Sequence, residues 1–310
     1  MDAGPSVPPP ATGSAPESGA LPGVPARLVP HGRELGVMSF NLRYPALDRN
    51  PWPRRLPVAR RLLTAAAPHL VGTQEGTVDQ LTALVDGLPD RYAWVGEGRD
   101  GGDRGEFTAI LYDRERIEVE STGTRWLSTR PDVAGSVAWG ARHPRTVTWI
   151  DATDLRTGTH LRFLNCHLDH RSHEARQHSA RILLELAAEA GGSPGGGSAG
   201  ADGDNNRSPR AVILTGDFNV DQRSDVHALL TTSPWFDDAV AGAPGPDARI
   251  NTFHGYRGPR EEDRRIDWIL HSPAYRPRTT GVLTHGRGHQ YPSDHFPVQA
   301  VLVRVPDPNG

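Results

Sequence analysis

From residue 35 onward, short apolar runs alternate with amphipathic and polar stretches, and the period of each run names its element. "LGVMSFN" (35–41) is apolar on both faces and reads as a buried strand. Ala59, Leu62, Leu63 and Ala66 follow the i, i+3, i+4, i+7 spacing of a helix with one apolar stripe. "LVGTQE" is a second short strand, and Val78, Leu81, Val85 and Leu88 mark a second helix. A series of β-type segments follows: "YAWVG", "FTAILYD", "IEVESTG", "TVTWIDATD" and "LRFLNCH". The third helix carries Ser179, Ile182, Leu183, Leu186 and Ala190 on one face. "AVILTG", "RIDWIL", "TTGVLTH" and "PVQAVLVRV" supply the later strands. Many strands, few helices and no repeat predict two packed sheets flanked by helices.

Two stretches interrupt the pattern. Residues 1–33 are mostly Pro, Gly, Ala and Ser without apolar periodicity, so they bury too little to offset their ordering entropy and read as a disordered tail. Residues 191–209, "GGSPGGGSAGADGDNNRSP", read as a flexible insert. Lengthening a surface loop costs only about 0.6 kcal/mol per doubling, so the insert needs no functional explanation. The remainder, 34–306, is expected to be one domain.

Composition narrows the partners. The 310 residues are 36% hydrophobic, enough for a large core, and the formal net charge is −3. That balance argues against broad, sequence-blind nucleic-acid binding, which rests on excess positive charge, while leaving room for a local basic groove. The basic residues are all arginine. Cys166 is the only cysteine, so there is neither an internal disulfide nor a cysteine zinc cage. No run approaches the roughly 18 apolar residues of a membrane span, and the start lacks the pattern of a secretory signal. The expectation is a soluble, cytoplasmic monomer with no membrane partner.

Chemistry collects where the apolar runs stop. Asn41 ends the first strand and Glu75 the second; Asn165 and His167 close "LRFLNCH". Asp217 and Asn219 follow "AVILTG", Asp267 lies in "RIDWIL", and Asp294 and His295 precede the last strand. In extended chain, residues two apart share a face, so Asn165 with His167, and Asp217 with Asn219, can each address one ligand. "SDH" (293–295) is no local triad, because neighbours in extended chain point to opposite faces. Any one strand-end Asp or Asn is more often a turn residue; their repetition at several strand ends is what points to a site.

"MSFNLRY", "GTQE", "LNCHLDH", "TGDFN", "RIDWIL" and "SDHFPV" occur in the order found in the endonuclease/exonuclease/phosphatase superfamily, which the chain resembles from about residue 35 to 304. The resemblance implies a DNase I-like four-layer α/β sandwich of two mostly antiparallel sheets with helices outside. "GTRWLSTRP" and "AWGARHPRTVTW" further resemble a bacterial branch. Some nucleases of the superfamily carry an acidic residue two positions after the first-strand Asn; Arg43 stands there, closer to a deadenylase-like pattern.

What the resemblance implies is a divalent-metal-dependent phosphoric ester hydrolase acting on a phosphorylated small molecule or nucleotide, monoester or diester. A nuclease acting on DNA or RNA is the alternative, and a catalytically silent binding protein the next. Glu75, assisted by Asn41 and Asp294, would hold Mg²⁺ or Mn²⁺. Asp217 and Asn219 would place the attacking water. His295 would contact the phosphate, with Asp267 on its other ring nitrogen. His167 and Arg145 would hold phosphoryl oxygens, Asn219 beside them. Asp217 and His295 are both candidates for the general base. "HLDH" (167–170) also invites a dizinc hydrolase reading, but that motif needs a histidine where Asn165 stands. The runs "PWPRRLPVARR" and "RGPREEDRR" are candidates for a phosphate-binding rim, although the acids of the second cancel its bases; Trp52, Trp126, Trp139 and Trp149 are candidates for stacking a base or sugar.

Overall fold

Alternation along the strands decides the layers. In the first strand Met38 and Phe40 face one way, and Leu35, Val37, Ser39 and Asn41 the other. The computed structural model describes residues 24–191, 210–286 and 290–306. In chain order the elements are β1 (Leu35–Asn41), α1 (Trp52–Ala66), β2 (Leu70–Gln74), α2 (Val78–Val85), β3 (Tyr92–Val95), β4 (Ile110–Asp113) and β5 (Ile117–Trp126). There follow β6 (Thr146–Asp154), β7 (Thr159–His167), α3 (His173–Gly191), β8 (Ala211–Asp217), α4 (Asp225–Thr231), β9 (Asp237–Asp238), α5 (Ala239–Gly242), β10 (Asp267–His271), β11 (Tyr275–Val282) and β12 (Val298–Arg304). Sequence periodicity did not reveal α4, β9 and α5, because elements this short carry too few apolar repeats to register.

The strands form two six-stranded sheets, ordered β11-β12-β1-β2-β4-β3 and β5-β6-β7-β8-β10-β9. Each has one parallel pair, β1 with β2 and β7 with β8, and is otherwise antiparallel. Three apolar clusters separate four layers. The first joins Met38, Phe40 and Val71 to the inner stripes of α1 and α2. The second, with Val37, Ile110, Ile150, Phe163, Ile213 and Ile269, lies between the sheets. The third packs Leu164, Leu214 and Trp268 under α3 and α4. This is the expected α/β sandwich.

The inner faces change character in steps along the strands. Val37 beside Leu70, and Phe163 beside Ile213, are apolar. Two residues on, Ser39 neighbours Gly72 and Asn165 neighbours Thr215. Two further, Asn41 neighbours Gln74 and His167 neighbours Asp217, which also faces Asp267 of β10. The core thus becomes polar and then charged toward one end of the sandwich, where the strand ends of both sheets meet.

Most of the expected tail, and the expected insert 191–209 apart from Gly191, which closes α3, lie outside the described residues. Residues 24–33 depart from the tail expectation. Ala26–Leu28 forms a 3-10 turn, Leu28 is fully buried, and Gln299 Nε2 donates to its carbonyl at 2.6 Å. A buried leucine, a buried amide and the Arg27–Asp247 ion pair at 3.0 Å help to dock a segment whose composition alone predicts no order.

Candidate active site

At the charged end of the sandwich, carboxylates and imidazoles from four strand ends line a cleft of about 480 Å³. β8 delivers Asp217 to its centre, 1% exposed. Its Oδ1 accepts the backbone N–H of Asn219 at 2.9 Å, and its Oδ2 accepts Asn41 Nδ2 at 3.0 Å. The Nε2 atoms of His167 and His295 lie 3.6 and 3.7 Å from that same Oδ2. His295 Nδ1 in turn meets Asp267 Oδ2 at 2.9 Å. Asp217 and Asp267 face each other across antiparallel β8 and β10, so pairing register itself sets up the charge cluster.

Loops complete the constellation through strained backbone. Arg43, Glu75 and Asn219 adopt left-handed φ values of 55°, 63° and 55°, costly for residues with a Cβ and concentrated at functional sites. Glu75 turns out of β2 so that Oε1 accepts Asn41 Nδ2 at 3.1 Å and Oε2 accepts the Tyr44 N–H at 3.2 Å. The Asn41 oxygen accepts the Arg43 N–H at 2.8 Å, so this amide clamps Glu75 to Asp217 and shapes the following turn. Asn219 Nδ2 donates to the Leu168 carbonyl at 3.0 Å, tying the β8 loop to the end of β7. Asp294 faces Arg43, whose Nε is 3.5 Å from its Oδ2.

The charges are unevenly compensated. Burial, with Asp267 and Glu75 adding repulsion, pushes the Asp217 carboxyl well up from its usual range, against the opposing pull of His295 and the Asn219 N–H. Burial also disfavours charge on His295, but Asp267 and Asp217 outweigh it and hold its pKa well above that of free imidazole. Burial, reinforced by Arg145 and His295, holds His167 far below the ordinary value. The surroundings therefore favour the protonated form at His295 and the neutral form at His167.

Two triads have ligand atoms close enough to share a cation: Glu75 with His167 and Asp217, and Asp217 with Asp267 and His295. Asp267 Oδ1 is buried without a hydrogen-bond partner among the described residues. The first group, two carboxylates and an imidazole kept in its neutral form, fits a hard divalent cation; in the second, the carboxylates favour the protonated imidazole of His295, which has no lone pair to offer. Asp294 lies outside both triads, on the arginine side.

The strand-end residues singled out from sequence converge here, except Asn165. Its amide, fully buried, joins the sheets by donating to the Thr73 and Ala109 carbonyls at 2.8 and 3.0 Å while Gln74 Nε2 donates to its oxygen at 2.7 Å. Two positions of recess along β7 separate this brace from His167 in the cleft. Arg145 lines the cleft, with Nη2 3.0 Å from His170 Nδ1. Within "HLDH", His170 also lines the cleft, whereas Asp169 is structural and accepts the Arg171 and Ser172 N–H groups at 2.8 and 2.7 Å ahead of α3. In "PWPRRLPVARR", Arg55 is 1% exposed and donates to the carbonyls of Arg43, Tyr44 and Pro292, so it pins two site loops from below and forms no rim. None of the four candidate tryptophans lines the cleft. Arg99 and Glu106, paired at 2.6 Å, do line it, and they come from a loop without periodic signal.

The family model for the endonuclease/exonuclease/phosphatase family matches residues 198–295. No curated protein sequence matches the chain. Among solved structures, a mannosyl-6-phosphatase of Bacteroides thetaiotaomicron is 32% identical, with a TM-score of 0.75 over 87% of this chain and 99% of that one. An endonuclease/exonuclease/phosphatase family protein from Bacteroides thetaiotaomicron is 31% identical, with a TM-score of 0.76 over 88% and 98%. Zebrafish (D. rerio) TDP2, complexed with a single strand DNA product, shares the fold at 17% identity, with a TM-score of 0.64 over 87% and 99%.

Proposed function

Given that the chain belongs to the endonuclease/exonuclease/phosphatase family and is accordingly a divalent-metal-dependent phosphoric ester hydrolase, we propose that it hydrolyses phosphomonoesters of small polyhydroxylated molecules, with Mg²⁺ as its ion. The observation that carries this reading is the cleft itself. Asp217 is poised between the His295 and His167 imidazoles, 3.7 and 3.6 Å away, in a space of about 480 Å³, within the range of small-molecule sites. The similarity to a mannosyl-6-phosphatase along nearly all of that protein supports a sugar phosphate in particular. A net charge of −3 speaks against a long nucleic acid.

In this reading Glu75, beside His167 and Asp217 and oriented by the Asn41 amide, would hold the ion, while Asp294, expected to assist it, is drawn to Arg43 instead; the ion would supply charge neutralisation for the phosphoryl oxygens. Mn²⁺ suits the same ligands. Asp217, its carboxyl raised by burial and acidic neighbours, accepts the proton of the attacking water. The Asn219 N–H fixes one oxygen of that carboxylate, leaving the other directed at the cleft. His295 donates its Nε2–H to a phosphoryl oxygen while Asp267 holds Nδ1 and sustains the positive charge. His167 and Arg145 contact further phosphoryl oxygens. Arg145 lines the cleft and is steered by Asp169, whose Oδ2 lies 3.8 Å from its Nε.

The test compares hydrolysis of p-nitrophenyl phosphate, mannose 6-phosphate, bis-p-nitrophenyl phosphate and a single-stranded oligonucleotide, with Mg²⁺ or Mn²⁺ and with EDTA. Monoesters should be preferred, EDTA should abolish turnover, and Asp217→Ala or His295→Ala should each lower kcat about 10²–10⁴-fold. Preference for the diester or the oligonucleotide would refute the monoester assignment.

A further inference from the structure

Beside the catalytic cleft lies a second cavity of about 310 Å³, and the two share Asn219, Phe253 and Ile266 in their walls. The two cavities therefore adjoin at these side chains. The second cavity is built from the segment "RGPREEDRR", whose acids cancel its bases in the sequence. In the fold they do not. Arg257, Arg260 and Arg264 line the cavity, and Glu262 is the one acidic residue among its walls. Asp263 turns away, taking Gln222 Nε2 at 3.1 Å and Arg223 Nη2 at 2.8 Å. Glu262 is itself engaged, accepting Asn251 Nδ2 at 2.7 Å, with Arg260 3.6 Å away. Arg264 meets only Asp221, at 3.6 Å, and Arg257 has no ionic partner among the described residues.

The three guanidinium groups stand on a fixed base. Asn251 is buried, and both ends of its amide hold the loop: Nδ2 donates to Glu262 and Oδ1 accepts the Arg264 N–H at 3.2 Å. Backbone bonds from Asn251 N to the Arg260 carbonyl and from Asp263 N to the Arg249 carbonyl close the loop on its stem. Such pre-organisation lowers the entropy lost when an anion is bound. Arginine forks suit carboxylate and phosphate oxygens equally.

We infer that this cavity is a subsite for a second anionic group, so that the preferred substrates are small phosphate esters bearing another phosphate or a carboxylate away from the scissile bond. The inference rests on the phosphomonoesterase reading for the first group only, and its test does not require turnover. Calorimetric titration of the full-length protein with glucose 6-phosphate, 6-phosphogluconate and fructose 1,6-bisphosphate, without metal, reads the second anion directly. At least one of the two ligands with a second anionic group should bind about tenfold more tightly than glucose 6-phosphate, and Arg257→Ala/Arg264→Ala should remove that margin. The margin's carrier, 6-phosphogluconate or the bisphosphate, identifies the anion. Hydrolysis of p-nitrophenyl phosphate, which has no second anion, should be unchanged in the same variant. Equal affinity for all three ligands, or a margin that survives the double substitution, overturns the subsite. Absence of p-nitrophenyl phosphate hydrolysis in the unsubstituted protein counts against the hydrolase reading, while the titration still decides the subsite.

Discussion

His295 shows how one contact sets the chemistry of a residue. Buried beside two carboxylates, it keeps its proton because Asp267 sits 2.9 Å from Nδ1. Asp267→Asn preserves the shape and a hydrogen-bond partner but removes the charge that favours imidazolium. The His295 pKa should then fall. If His295 acts in its protonated form, the alkaline loss of activity should begin at lower pH in the variant, because the proton is released earlier. A drop in kcat of about 10²–10⁴-fold should accompany this, with KM changed much less, since the imidazolium matters most as phosphoryl charge develops. A pH–rate profile of kcat for both proteins checks the direction; an unshifted alkaline limb would show that Asp267 is only a packing partner.

At the scale of elements, strand alternation positions the cleft, and a polar layer just behind it holds the sheets in register. Gln74, Asn165 and Thr215 interlock there across the interface. They leave room for nothing larger than hydrogen at Gly72, where a Cβ would overlap Thr215 Oγ1 and the Asn165 amide. Gly72→Ala should destabilise the fold by about 1–3 kcal/mol through overpacking, read as a lower urea midpoint. Ser39→Ala, which loses only a 3.4 Å contact to Gln74, should cost well under that. The same layer marks what was legible in the sequence. Every long strand and helix was readable from its period, and Asn41, His167, Asp217 and Asp267 from their place where apolar runs end. Asn165 and His167 share a face of one strand, so alternation alone could not say that one braces the core and the other reaches the cleft. Depth along the strand decides, and depth depends on how the sheets stack. Arg55 and Arg99 were illegible for a related reason: their roles come from loops whose course is set by tertiary contacts, with no local period to announce them.

Across the whole molecule, the end opposite the cleft is closed by a different device. Arg116 pairs with buried Asp154 at 2.6 Å and donates to the carbonyls of Gly32 and Arg33, tying the second sheet to the segment ahead of β1. Next to it His69 accepts the Gly36 N–H on Nδ1 at 3.0 Å, a bond only the unprotonated nitrogen can make. Burial lowers the His69 pKa to about 4, and Arg116 adds to the shift against the pull of Asp154. The unfolded chain therefore binds a proton at His69 before the folded one does. The stability this histidine contributes is complete above its unfolded pKa of 6.5 and is lost as pH falls toward about 4. A shift of this size corresponds to about 3 kcal/mol. Asp217, Glu106 and His295 titrate with the opposite sign, since the fold raises their pKa values, so the total stability cannot isolate His69. A difference can. His69→Gln has no group that charges in this range, so the gap in unfolding free energy between the unsubstituted protein and this variant should narrow by about 3 kcal/mol between pH 7 and pH 4. Urea unfolding of both proteins at the two pH values measures the gap, and a constant gap would place the acid sensitivity of this end elsewhere than His69.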